Sequence, residues 1–405
     1  MAQLLSIIGW KRLVVTGLCL VAWRLLEQIP VSSLNPSVIK LRLYSLEPFS
    51  FVHAIGSATP LAGYSIAAMG LQPYVYALVV ITLIRVISAR VRTIARRPDG
   101  IQRLRLWTRA LTILLGMGQA YGWTVLYEVN NVLPPMDWSA RLVIMLELTG
   151  ATMVLIFLGD VMDEFGLGFG NGAILIYALG ALAGEVHRMA SFAASAPSLE
   201  ALDGPLGVWV TFSIGVVAAT AAVLLAVRRV APIDNKKSRA GKPVELRILL
   251  SGVLRPPLYA TAVLFVPVIF GNYSAHSSPG AVAWITNHVT AYGANPWTDA
   301  AYTLVDAFLV LGFTYFVVAS DFRDAPRELR RSINRLTFIG GTFLSLTVVV
   351  LPVLEWNVSI VAGHGIGMSG FDIVLVTTMI IFIVRSLEQS RKLVSGPPVL
   401  MGQLP

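Results

Sequence analysis

Apolar runs of about 20 residues recur along this chain, separated by short polar or basic stretches. A helix of that length crosses the hydrocarbon core of a bilayer, where each backbone polar group must be bonded within its own segment. Ten such runs lie near 13–30, 65–84, 108–127, 141–159, 173–187, 206–227, 249–270, 300–319, 336–354 and 370–387. With 56% hydrophobic and 13% charged residues and a mean hydropathy of +0.72, the 405 residues are too apolar to be buried in a soluble protein. The strands of a membrane barrel would instead read as short alternating segments. The expected fold class is therefore an all-α polytopic membrane protein with ten transmembrane helices. The one cysteine, Cys19, excludes an intrachain disulfide. The leading "MAQLLSIIGW" carries no cleavage signal, and the run after it is long enough to span the membrane.

Basic residues orient the spans, because positive loops stay on the cytoplasmic side. With both termini inside, 25 of the 31 Lys and Arg residues fall on the inner side. Only Lys40, Arg42, Arg141 and Arg188 fall on the outer side. The net charge of +9 thus follows first from topology. Two inner loops exceed what topology needs: "RRVAPIDNKKSRAGKPVELR" (228–247) and "DFRDAPRELRRSINR" (321–335). Their candidate docking residues for an anionic cytosolic partner are Arg228, Arg229, Lys236, Lys237, Arg239, Arg323, Arg327, Arg330 and Arg331.

Between the fourth and fifth runs stands "GDVMDEFGLGFGNG" (159–172). Its alternating glycines would suit a phosphate loop, but they follow a membrane span rather than a strand. The loop also carries Asp160, Asp163 and Glu164 and no cation of its own, the reverse of what a phosphate needs. The glycines are expected only to reverse the chain.

This stretch and its neighbours resemble the SecY family. "GATMVLIFLGDVMDEFGLGFGNG" (150–172) is similar to the family's Gly-Thr-Met span, which ends in Gly-Glu and a glycine turn. "RLVVTGLCLVAWRLLEQIP" (12–30), "YSIAAMGLQPYVYALVVITLI" (64–84), "LWTRAL" (106–111), "NRLTFIGGTFLSLTVVVLP" (334–352) and "FIVRSLEQ" (382–389) match further family segments in order. The chain departs from the pattern in a glycine turn two residues longer, Phe165 where the family usually has Arg, and a shortened 320–335 loop. It also starts the seventh span with "SGVLRPPLYA", one residue longer than usual. These departures fit a divergent or an accessory member.

The resemblance implies two pseudo-symmetric five-helix halves closing like a clamshell: residues 1–189, an outer hinge at 190–205, and residues 206–405. It implies the pore-forming subunit of a protein-export translocase in the cytoplasmic membrane, passing signal-bearing preproteins across and releasing hydrophobic segments into the lipid. SecE-like and SecG-like small subunits, and a SecA-type motor ATPase or a ribosome, are the implied partners. The chain itself is expected to be a passive channel, without enzymatic activity, cofactor or metal.

By position, the apolar ring at the pore waist falls on Leu71, Val75, Leu258 and Leu375, with span five contributing either Ile176 and Gly180 or Tyr177 and Ala181. The plug falls on 50–63, including Phe51, Ile55, Gly56 and Ser57. The lateral gate falls between spans two and seven, where Pro73, Pro256 and Pro257 remove backbone donors and favour bending.

No catalytic set emerges, and the five histidines all fall in expected outer segments. The alternative is an ion- or solute-coupled secondary transporter, which would use midplane charges. Candidates are Arg24, Glu27, Glu147, Asp306 and Asp372, with Arg24 and Glu27 spaced to pair on one helix face.

Overall fold

A computed structural model describes residues 10–32, 64–95, 98–129, 133, 137–166, 172–176, 217, 255–260, 262–263, 296–322, 334–335 and 337–347. Its longer helices are α1 (Trp10–Leu26), α2 (Gln72–Ile87), α3 (Ala89–Ala95), α4 (Pro98–Val129), α5 (Trp138–Phe165) and α6 (Pro296–Phe322). Helical stretches at 172–176 and 255–260, and an apolar helix Thr337–Thr347, complete the picture. No strand longer than one isolated bridge occurs among the described residues. The plug at 50–63, the hinge at 190–205, the basic loop at 228–247, residues 323–333 of the second basic loop, hence all nine docking residues, Asp372 and Leu375 lie outside the described residues.

Helix α5 packs against α4, α1 and α2. Its 28 residues, with a mean hydropathy of 2.2 over the best window, make it long and apolar enough to cross a bilayer unbroken. The Asp137 side chain caps it by accepting the Ala140 amide at 3.2 Å, and the chain leaves it at Gly166. Helix α4 packs along α5, and α1 and α2 lie against this pair, with α6 on α2. Helix α4 starts at Pro98 with Asp99 in its first turn, both suited to a helix N-terminus. At 32 residues it is about 48 Å long, so its first turns stand clear of the 108–127 run. Arg103, Arg105, Leu106 and Trp107 are exposed there, the mixture that sits at a membrane interface.

Hydroxyl groups on these helices bond inward. Thr16, Thr108, Thr112 and Thr314 each donate to the carbonyl one turn back, at 2.7–2.8 Å. Without water at that depth, the preceding carbonyl is the acceptor within reach.

The second span differs from its expected outline. The apolar run begins near residue 65, yet α2 begins at Gln72. Residues 64–71 instead form a non-helical strap. Its Ser65 makes an antiparallel bridge with Pro30 through Val31 N–H to the Tyr64 carbonyl (3.0 Å) and Ile66 N–H to the Ile29 carbonyl (2.9 Å). Gly70 closes the strap with φ of 51°, a left-handed geometry that no helix interior admits and that favours glycine. Pro73 then falls in the first turn of α2, where its missing N–H has no partner to lose; it starts the helix rather than bending it.

The bend comes at the other end. α2 and α3 meet at 111° across Ser88, whose backbone is extended. Arg92 turns back to donate to the carbonyls of Val86 (2.6 Å) and Arg85 (3.1 Å), covering acceptors freed where the helix stops.

Candidate functional site

The apolar residues expected at the waist come from distant parts of the sequence. Leu71 is the N-cap residue of α2, and its carbonyl accepts the Val75 amide at 3.0 Å. Leu71 and Val75 therefore stand one above the other on α2. Both are buried, as is Ile176 on the 172–176 stretch, and all three belong to one apolar cluster against which Leu258 packs half-buried. Cys19 and Trp23 of α1, Leu155 and Ile156 of α5, Tyr259, and Phe313 of α6 join the same cluster. Of the two alternatives for span five, Ile176 is described; Tyr177, Gly180 and Ala181 are not.

What places Ile176 is the reversal after α5. The Asp163 carboxylate accepts the Gly172 amide at 2.9 Å, closing the turn with an acid from the helix it leaves. Gly159 and Gly172 then bring two backbones together. A Cβ on Gly159 would lie 2.3 Å from the Ala173 nitrogen, and one on Gly172 would lie 2.1 Å from the Gly159 oxygen. Asp163 and the close approach of Gly159 to Gly172 thus hold the returning chain against α5, while Gly168 and Gly170 lie outside the described residues. The acids are not left alone, because Arg109 of α4 forms an ion pair with Asp160. That partner was within reach of the sequence: Arg109 and Asp160 stand toward the same end of two consecutive antiparallel helices.

The expected gate spans also meet. Pro73 is buried on α2, and Pro256 and Pro257 are buried at the start of the 255–260 helix. The hydroxyls of Thr82 on α2 and Tyr259 lie 3.3 Å apart, a buried hydrogen bond between residues far apart in sequence. The Tyr259 ring meets Phe313 edge to face at 5.6 Å. Neither Thr82 nor Tyr259 carries a sequence signal.

The midplane charges have varied surroundings. Arg24 donates to Glu27 at 2.6 Å, the pairing their spacing predicts, and Glu27 is buried. Glu147 accepts the Ser32 amide at 3.0 Å. The Asp306 Oδ1 is buried with no hydrogen-bond partner among the described residues. No cluster of three or more His, Cys, Asp or Glu suited to a metal occurs among the described residues.

Comparison with known proteins gives this arrangement its context. The family model described as SecY matches residues 65–326. The chain is 25% identical over 416 residues to the protein translocase subunit SecY of Rickettsia conorii, covering 92% of this chain and 91% of that one. It is 27% identical over 383 residues to the SecY subunit of Halalkalibacterium halodurans, covering 85% and 86%. Among solved structures, a protein-conducting channel matches with a TM-score of 0.60 at 14% identity, covering 98% of this chain and 95% of the other. Sec61 in the canine ribosome–channel complex matches with the same score and coverage. At that identity the structures establish the all-helical fold, while the family match spans more than half of the sequence. The chain belongs to the SecY family, a family of multi-pass cytoplasmic-membrane proteins.

Proposed function

We propose that this chain is the central pore-forming subunit of a protein-export translocase. It passes unfolded, signal-bearing polypeptide across the cytoplasmic membrane and releases hydrophobic segments sideways into lipid. The observation that carries this reading is the convergence of Leu71, Val75, Ile176 and Leu258, from three separate stretches, on one apolar cluster. A narrow apolar constriction excludes ions because water leaves it, yet it offers a threading chain no fixed partner to hold it.

In this reading ten spans form two halves joined at 190–205, with both termini cytoplasmic as the basic residues direct. Leu375 completes the ring and residues 50–63 act as the outer plug. The gate lies between α2 and the 255–260 helix, across the Thr82–Tyr259 contact. The chain is passive. A SecA-type motor or a ribosome docks on the basic loops at 228–247 and 321–335, and SecE-like and SecG-like subunits brace the channel in the lipid.

The test is reconstitution in vesicles with such partners and a preprotein bearing a signal sequence. Protected preprotein is expected only under energised conditions; its absence under all of them removes the reading. Neutral amides at Glu147, Asp306 and Asp372 discriminate against a coupled transporter. The channel is expected to seal and translocate as before, whereas a transporter would lose solute uptake. The unpartnered oxygen of Asp306 is the one observation that favours the transporter, and this comparison addresses it directly.

A further inference from the structure

The strap at 64–71 delivers the chain to Leu71, and two side chains of α5 hold it. At its far end Ser32 donates its amide to Glu147 at 3.0 Å, next to the bridge that pairs 29–31 with 64–66. At its near end the Thr152 hydroxyl donates to the carbonyl of Gly70, the residue before Leu71, at 3.0 Å. The same hydroxyl also lies 3.3 Å from the Leu148 carbonyl in its own helix, a shared donor. Thr152 is 1% exposed. Between the two anchors, Tyr64 and Met69 pack into an apolar cluster with Ile144, Met145 and Leu148 of α5 and Trp123 and Tyr127 of α4. Tyr64 stacks on Tyr127 with centroids 6.4 Å apart.

A strap needs such anchors. Its turns satisfy the carbonyls of Ser65, Ala67 and Met69 from within, whereas those of Tyr64 and Gly70 take donors from neighbouring elements, Val31 and Thr152. Gly70 is also the most permissive point of the strap, since its left-handed geometry carries no side chain to lock it. Fixing its carbonyl fixes the direction in which Leu71 and α2 set out.

We propose that Thr152 is a positioning residue for the pore waist: by holding the Gly70 carbonyl it sets Leu71 in the ring, with Glu147 holding Ser32 beside the 29–31 segment on which the strap's start is paired. This assigns a task to the threonine of the Gly-Ala-Thr-Met stretch, which the reversal after α5 does not use. It rests on the reading of Leu71 as a ring residue.

The experiment measures resting ion conductance of the reconstituted complex, at matched amounts of folded protein, for T152V, T152S, E147L, E147Q and L71S. T152V keeps the shape but deletes the donor, and is expected to raise the conductance about fivefold, the population change that one net hydrogen bond of about 1 kcal/mol produces. T152S keeps the donor and is expected to seal like the parent. E147L is expected to leak, and E147Q, which keeps an acceptor, to seal. If L71S leaks while T152V and E147L both seal, α5 does not position the waist and the proposal is overturned. If T152S leaks as much as T152V, the hydroxyl is not the cause and the proposal is overturned as well. If L71S itself seals, the ring reading falls first, a result distinct from the other two.

Discussion

Replacing Gly159 with alanine tests whether the reversal after α5 sets the waist. An added Cβ would meet Ala173 at its nitrogen (2.3 Å), Cα (2.5 Å) and Cβ (2.6 Å), whereas ordinary contact begins near 3.4 Å. The 172–176 stretch must therefore retreat by roughly 1 Å, and no rotamer change relieves a clash with backbone. Overpacking of this kind costs about 1–3 kcal/mol, and obstruction by main chain argues for the upper part of that range. Alanine returns about 0.5–1 kcal/mol through its better helix propensity, leaving a net loss of about 1–2 kcal/mol. Ile176 lies on the displaced stretch, so the loss falls on the cluster it shares with Leu71 and Val75. The assay pairs thermal unfolding in detergent with resting ion conductance in bilayers. Gly150→Ala and Gly118→Ala serve as controls, since a Cβ at either meets nothing within 4 Å. G159A is expected to melt lower than both controls and to leak. If it melts with them and seals, the close approach does not set the waist.

Two further outcomes follow from the charges. Removing Arg24 leaves the buried Glu27 carboxylate without its cation, so R24A is expected to cost about 3 kcal/mol or more in unfolding stability. The double change R24L/E27L is expected to recover most of that loss, and a double variant no more stable than R24A would contradict the pairing. At the N-terminal end of α5, hydrogen bonds from the Ser139 hydroxyl and the Ala140 amide hold the Asp137 carboxyl below the ordinary carboxylate range. A carboxyl lowered on folding stabilises the fold above its unfolded pKa and loses that contribution as pH falls through the lowered value. The melting temperature of the parent is therefore expected to exceed that of D137A at neutral pH, and the gap to close in acid. A gap that stays constant down to acid pH would sink the cap as a titrating contact.

Parts of this molecule follow from local pattern. The Arg24–Glu27 pair sits three residues apart on one helix, so spacing alone brings it together. The return of the chain after α5 has a local sign too, since Gly172 gives its amide to Asp163 and its missing Cβ leaves room for the Gly159 carbonyl. The apolar run does not mark where the second helix starts, since the uncharged "YSIAAMG" joins it without a break. Hydropathy registers the depth of a residue and not whether its backbone is bonded within a helix. Gly70 and Pro73 were the local signs that the helix begins late. Contacts such as Thr82 with Tyr259, Thr152 with Gly70 and Glu147 with Ser32 leave no such sign, because neither partner's neighbours depend on the other.

The amino-acid sequence by itself determined that this chain lives in a bilayer as helices. That property is a sum of transfer free energies over residues, and a sum does not depend on which helix lies beside which. Its ordered motifs determined the family. Only the tertiary structure decided that α5 is the post on which the strap, the reversal and α1 are hung, and that Leu71, Val75, Ile176 and Leu258 share one cluster. Those facts depend on approaches of a few ångströms between backbones and hydroxyls from different helices, and such approaches exist only once the helices have chosen their neighbours.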